Sequence, residues 1–213
     1  MSVYIFDLDG TIADSNGAWD DIDRQLIAEY GAYVPENIIA SMAALGYDEL
    51  YEVLKSYGIC FEDVDVMRER IDALAEYEYR NNISLKDGAE EYIKKVSETD
   101  RTVLFTASPE RLYKPFLVRC GLYGMFDDLI CSDDIGVDKK EPAAFTKAAD
   151  ILGVVPSECI VLEDSPLNAL SAHKAGMRVI GVYDRFSAEL PGYDRIKEIS
   201  DRYIYSFNEL MGE

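Results

Sequence analysis

Near the amino terminus, Asp7 and Asp9 stand two residues apart in Phe6-Asp7-Leu8-Asp9-Gly10-Thr11, just before a glycine able to make a sharp turn. Further along come Thr106-Ala107-Ser108, the lysine pair Lys139 and Lys140, and Glu163-Asp164-Ser165. Carboxylates brought together repel one another, and hard oxygen ligands of this kind suit Mg²⁺, which also neutralises a phosphate. One carboxylate could then attack phosphorus as a nucleophile. A second, protonated, could give its proton to a departing alcohol and later activate water. A lysine and a hydroxyl would hold and balance the transferring group, and phosphoryl transfer requires little beyond positioning and charge neutralisation.

Each signal taken singly has an ordinary structural explanation. A DxDGT segment can be a turn, Thr106 a strand-end or N-cap residue, and a lysine pair solvated surface. Glu163 and Asp164 can serve the dipole of a following helix. Their order and their placement at successive strand ends point to a site.

Those strands are legible from periodicity. Ser2 to Asp7 is a short apolar, β-prone run that reads as a buried strand delivering polar residues to its tip. From Asp14 the spacing of Trp19, Ile22, Leu26 and Tyr30 is helical, with Asp14 or Ser15 as N-cap. Helical patterning continues through Ile38 to Leu45, Asp48 to Tyr57 and Met67 to Ala75, broken by Gly46 and Gly58, which makes a block of about four helices. After Leu85 helices are expected over Gly88 to Val96, after Pro109, over Pro142 to Leu152 and up to Gly176. Strands are expected over Thr102 to Thr106, around Leu129 to Cys131, over Cys159 to Leu162 and over Arg178 to Val182.

Such alternation predicts an α/β fold: a Rossmann-like, doubly wound parallel sheet, formed by residues 1–13 and 85–213, with ligands at the carboxyl ends of its strands. The helical block, residues 14–84, interrupts the alternation after the first strand and reads as an inserted helical-bundle cap. A cap would exclude water and open for release, so its residues should select the substrate. Asn16, Trp19 and Tyr47 are the candidates. No arginine stands at these places, which favours a small neutral body, such as a sugar or polyol, carrying one phosphate.

The chain has 213 residues, 48% of them hydrophobic, enough for one sizeable core and a smaller satellite. No apolar run approaches the roughly 20 residues of a membrane-spanning helix, and the start lacks the pattern of a signal peptide, so a cytoplasmic location is expected. A formal net charge of −20 should repel nucleic acid and anionic membranes, and neither is expected as a partner. The expected partner is a small phosphorylated metabolite, and the chain could be a monomer or a homodimer. Cys60, Cys120, Cys131 and Cys159 are scattered and read as reduced, buried thiols. The lone His173 reads as a surface or packing residue.

The segments FDLDGTIADS, TVLFTAS, DKKEPAAF and VLEDSPLNALSAHKAGMRVIGV resemble, in that order, the four motifs of the haloacid dehalogenase superfamily. The resemblance covers nearly the whole chain and points to the β-phosphoglucomutase-like and phosphoglycolate phosphatase-like members with a helical cap after the first motif. It implies Asp7 as nucleophile, Asp9 as acid/base, Thr106 with the neighbouring Ala107 and Ser108 backbone as phosphate holder, and Lys139 as charge stabiliser. It also implies Mg²⁺ bound by the Asp7 carboxylate, the Asp9 carbonyl and Asp164, with Glu163 in support.

The third motif departs from the family pattern, because Lys140 stands where the first proline is usual. Counting back from Pro142 selects Lys139, and Lys140 stays open as the alternative. A dehalogenase or a phosphonate hydrolase would lack the second aspartate. A β-phosphoglucomutase-like mutase shares all four motifs but carries a histidine where Trp19 aligns, so the resemblance implies a phosphatase ahead of a mutase. A signalling receiver would place its phosphoacceptor on a middle strand with no helical insert, and a non-catalytic protein would not need every charged group of the mechanism.

Overall fold

The structure, a computed structural model, describes residues 2–42, 45–190 and 192–212. The chain divides into two compact units, Met1–Asp14 with Ser84–Glu213, and Ser15–Ile83.

The first unit is built on a parallel sheet. Its described strands are β1 (Val3–Phe6), β2 (Arg101–Thr106), β3 (Asp128–Cys131), β4 (Cys159–Glu163), β5 (Arg178–Val182) and β6 (Arg202–Ile204), in the spatial order β3-β2-β1-β4-β5-β6. All neighbours are parallel. The chain winds outward from β1 to β3, then crosses back to β4 on the other side of β1, which creates a topological switch point where doubly wound sheets bind ligands.

Side chains alternate across each strand, so β1 serves both faces. Val3 and Ile5 join Val103, Phe105, Val161 and Val179 in one buried cluster. Phe6 packs on the other face, edge-on to Tyr92 and Phe126 at 6.3 and 6.0 Å. Apolar burial on both faces explains why these strands read as continuous hydrophobic runs.

The helices of this unit are α5 (Ala89–Ser97), α6 (Glu110–Arg119), α7 (Ser132–Ile135), α8 (Pro142–Leu152), α9 (Pro166–Lys174) and α10 (Arg195–Ile199). Pro142 opens α8 and Pro166 opens α9, where the missing N–H costs nothing. Among the described strands and α-helices, β6, with three residues, and α7 and α10, with four and five, lie outside the sequence expectations. Runs this short carry no readable period, and β6 becomes a strand only by pairing with β5.

The second unit contains α1 (Asn16–Glu29), α2 (Glu36–Met42), α3 (Tyr47–Ser56) and α4 (Val64–Asn81). Ile22 and Leu26 of α1, Leu50 and Leu54 of α3, and Met67, Ile71, Ala75 and Tyr79 of α4 form its buried seam. The Asp63 carboxylate caps α4, accepting from the Val66 amide at 2.9 Å. Of the helix expected over Ile38 to Leu45, positions 43 and 44 lie outside the described residues.

The chain enters and leaves this helical unit side by side. Ala13 and Leu85 form an antiparallel bridge, Asp14 N–H donates to the Ser84 carbonyl, and Lys86 N–H donates to the Ile12 carbonyl.

One expectation is corrected: the cysteines are free, but only Cys131 and Cys159 are buried, whereas Cys60 is exposed and Cys120 half-buried. Cys60 lies in the connection between α3 and α4, where Ile59 takes the interior position. His173 is exposed. Among the described residues no helix is long and apolar enough to cross a membrane.

Candidate active site

Three neighbouring strands end level. Phe6 is in register with Leu104 on one side and Leu162 on the other, and the Asp7 amide continues the ladder to the Leu162 carbonyl at 3.0 Å. The next residues outward are therefore Asp7, Phe105 and Glu163, followed by Thr106 and Asp164. Immediately beyond, Leu8 is buried, and its carbonyl accepts from the amides of Thr11, Ile12 and Ala13. Gly10 closes this turn at φ 78, a conformation that costs an L-residue about 1–2 kcal/mol.

Lys139 reaches this edge from the loop between α7 and α8. Its ammonium donates to Asp7 Oδ1 at 2.5 Å, to the Phe105 carbonyl at 2.8 Å and to Glu163 Oε2 at 2.9 Å. Those three bonds use all three of its donors. Burial opposes the charge, but Asp7 and Glu163 outweigh it and hold the ammonium above the usual lysine range.

The neighbouring lysine is placed differently. Lys140 is exposed, with its amide bonded to Asp138 Oδ1 at 2.9 Å and its carbonyl accepting from Ser171 Oγ at 2.6 Å. An Asx turn at Asp138 thus shapes the loop in which Lys140 stands.

Glu163 is fully buried, and its other oxygen accepts from the Ser165 amide at 3.1 Å and from Asn168 Nδ2 at 3.5 Å. Asp164 accepts from Thr11 Oγ1 at 3.0 Å and from Ser187 Oγ at 2.5 Å. Asp9 is half-buried and accepts from Ser108 Oγ at 2.6 Å, while the Ser108 amide donates to Thr106 Oγ1 at 2.9 Å. Ala107, between them, is exposed.

Burial, with Glu163 adding repulsion against help from Lys139, pushes Asp7 up to about 7. Burial, then Glu163 and Asp7, raises Asp164 well above the usual carboxylate range. One oxygen each from Asp7, Glu163 and Asp164 lies within 4.8 Å of the others. A buried set of hard, mutually repelling oxygens fits a divalent cation such as Mg²⁺, which would relieve the repulsion.

Beside this edge a cleft of about 430 Å³ is lined by Ala107, Ser132, Gly136, Lys139, Lys140 and Asn168, a size suited to a small ligand.

The structure thus gathers Asp7, Asp9, Thr106, Ala107, Ser108, Lys139, Glu163 and Asp164 at one sheet edge. Asn16, Trp19 and Tyr47 belong to the helical unit. Asn16 starts α1, Trp19 packs edge-on against Tyr79 at 6.2 Å, and Tyr47 donates to Asp72 at 3.1 Å beneath the Arg68 guanidinium. Thr11, Asn168 and Ser187 join this edge without having been expected there as site residues. Thr11 sits inside the first motif and could have been found, whereas no local pattern marks Ser187.

A family model described as haloacid dehalogenase-like hydrolase matches residues 1–176. Hexitol phosphatase B of Escherichia coli is 28% identical over 184 residues, covering 84% of this chain and 82% of that protein. Fructose-1-phosphate phosphatase YqaB, from the same organism, is 26% identical over 187 residues, covering 84% and 94%. Among solved structures, a family IA, variant 3 hydrolase from Entamoeba histolytica superposes with a TM-score of 0.82 at 24% identity, covering 98% of this chain and 95% of that one.

Proposed function

Because this chain belongs to the haloacid dehalogenase-like hydrolases, we propose that it is a Mg²⁺-dependent phosphoric monoester hydrolase acting on a small sugar or polyol phosphate through an aspartyl phosphate. The observation that carries this reading is the buried Asp7 carboxylate, fixed by Lys139 with Glu163 on the same ammonium and with Asp9 and Asp164 alongside.

The Asp7 carboxylate, the Asp9 carbonyl and Asp164 would hold Mg²⁺, which would supply positive charge to offset these carboxylates and a phosphate. Asp7 is the nucleophile. One of its oxygens forms a bond to phosphorus as the bond to the alcohol oxygen breaks, and Asp9 gives its proton to that oxygen. Asp9, now ionised, takes a proton from water. The water oxygen attacks phosphorus, freeing Asp7 and inorganic phosphate.

Lys139 holds Asp7 in place and balances charge on the transferring group, with Glu163 fixing the ammonium. The Ser108 amide and hydroxyl already donate to Thr106 and Asp9, so phosphate holding falls chiefly to the Thr106 hydroxyl and the Ala107 amide.

The helical unit Ser15–Ile83 serves as the cap, with Asn16, Trp19 and Tyr47 as its candidate selecting residues. The substrate class is supported by the names of the hexitol and fructose 1-phosphate enzymes and by the net charge of −20, which disfavours a second anionic group on the substrate. The test is phosphate release from p-nitrophenyl phosphate and a panel of sugar and polyol phosphates, with Mg²⁺ and with EDTA, using Asp7→Asn as the blank. Unchanged turnover in Asp7→Asn overturns the reading, and isomerisation of a hexose phosphate without phosphate release replaces it by a mutase.

A further inference from the structure

Packing alone does not set the rotation of an aspartate carboxylate, because its terminal torsion is broad and roughly two-fold. For Asp164 the rotation is set by hydrogen bonds on both oxygens, from Thr11 Oγ1 to Oδ1 and from Ser187 Oγ to Oδ2. Both of these donors are neutral hydroxyls. They leave the carboxylate its negative charge, and because each oxygen has two acceptor positions they leave it further acceptor capacity.

Ser187 lies outside all four motifs. It opens a 3-10 turn, Ser187–Glu189, in the chain that follows β5, and Asp184 organises that turn. Asp184 Oδ1 accepts from the amides of Phe186 and Ser187, both at 2.9 Å, and the Asp184 carbonyl accepts from the Ala188 amide at 2.9 Å. Asp184 is 1% exposed, and its other oxygen accepts from Lys86 Nζ at 2.6 Å. An asparagine could make the same two amide contacts without burying a charge. The charge instead engages Lys86, whose own backbone is tied to Ile12 in the ladder flanking the helical unit.

We propose that Ser187, set in place by Asp184 and Lys86, is a positioning residue that fixes the Asp164 carboxylate for a divalent cation. This rests on the Mg²⁺-dependent reading above. Lys86 pairs with Asp184 at 2.6 Å and with Asp14 at 3.5 Å, so its charge is kept one aspartate away from the turn that carries Ser187. Supports of this kind typically carry a 10- to 100-fold effect on metal affinity.

The test is Mg²⁺ affinity by isothermal titration calorimetry, together with the Mg²⁺ concentration giving half-maximal phosphatase activity. Ser187→Ala is expected to weaken Mg²⁺ binding about tenfold and to raise the activation constant by a similar factor. Its KM for the ester at saturating Mg²⁺ and its melting temperature in EDTA should stay close to wild type. Ser187→Cys, which keeps the volume and offers only a weak donor, should behave like Ser187→Ala, and Lys86→Met should weaken binding by a smaller factor. Wild-type Mg²⁺ affinity in either Ser187 variant overturns the proposal while leaving the hydrolase reading intact. Absence of Mg²⁺ binding in the wild-type chain overturns both.

Discussion

Lys139 Nζ donates to Asp7 Oδ1 across a sequence separation of 132 residues, and both groups are buried. A buried ion pair is costly to break from one side, because the remaining charge has neither water nor partner. Lys139→Ala should therefore destabilise the cation-free chain by about 3–5 kcal/mol and lower kcat about 10²- to 10³-fold. Urea unfolding and steady-state kinetics measure the two effects. Lys140→Ala, at an exposed side chain, should stay within about twofold of wild type in kcat.

Asp9 is assigned the proton given to the leaving alcohol, and its carboxylate is held by Ser108 Oγ. Asp9→Asn should lower kcat on a sugar phosphate by about 10²- to 10⁴-fold. In the first step, read as pre-steady-state release of the alcohol, the loss should be much smaller with p-nitrophenyl phosphate, whose leaving phenolate needs no proton, whereas hydrolysis of the aspartyl phosphate is slowed for both. Equal losses in that first step on both substrates would remove the acid role from Asp9.

Cation binding should register in stability as well as in rate. At about 100 times its Kd, Mg²⁺ should stabilise the folded chain by about 2.7 kcal/mol, seen as a rise in melting temperature reversed by EDTA. Asp164→Asn should abolish that rise, since it removes one of the two carboxylates assigned to the ion.

A pH effect is expected in the helical unit. Burial, with the neighbouring Asp20 adding repulsion against help from Arg24, pushes Asp23 of α1 from 3.8 up to about 7. The folded chain then holds a proton that the unfolded chain releases at lower pH. Stability contributed by the protonated form is present below the unfolded value and is lost as pH rises through about 7. Asp23→Asn should accordingly raise the melting temperature at pH 8, with a gain that shrinks towards pH 4; a gain independent of pH would contradict the assignment.

Much of the fold and half of the site are legible in the residues themselves. Helix α8 runs from Pro142 to Leu152 and strand β5 from Arg178 to Val182, as periodicity and the opening proline predict. Asp7 and Asp9 before Gly10 announce a polar strand tip without any tertiary information. These signals act over one turn or one strand, the range within which neighbouring side chains share a face or a cap.

Tertiary structure decided what depends on register between distant segments. Lys139 and Lys140 are adjacent and chemically alike, yet only Lys139 reaches between the ends of β1 and β4, while Lys140 faces solvent. Ser187 meets Asp164 across 23 residues because β5 lies beside β4, and β6 is a strand because β5 offers it an edge. A single residue of offset in any of these would aim a different side chain, and no local pattern encodes that offset.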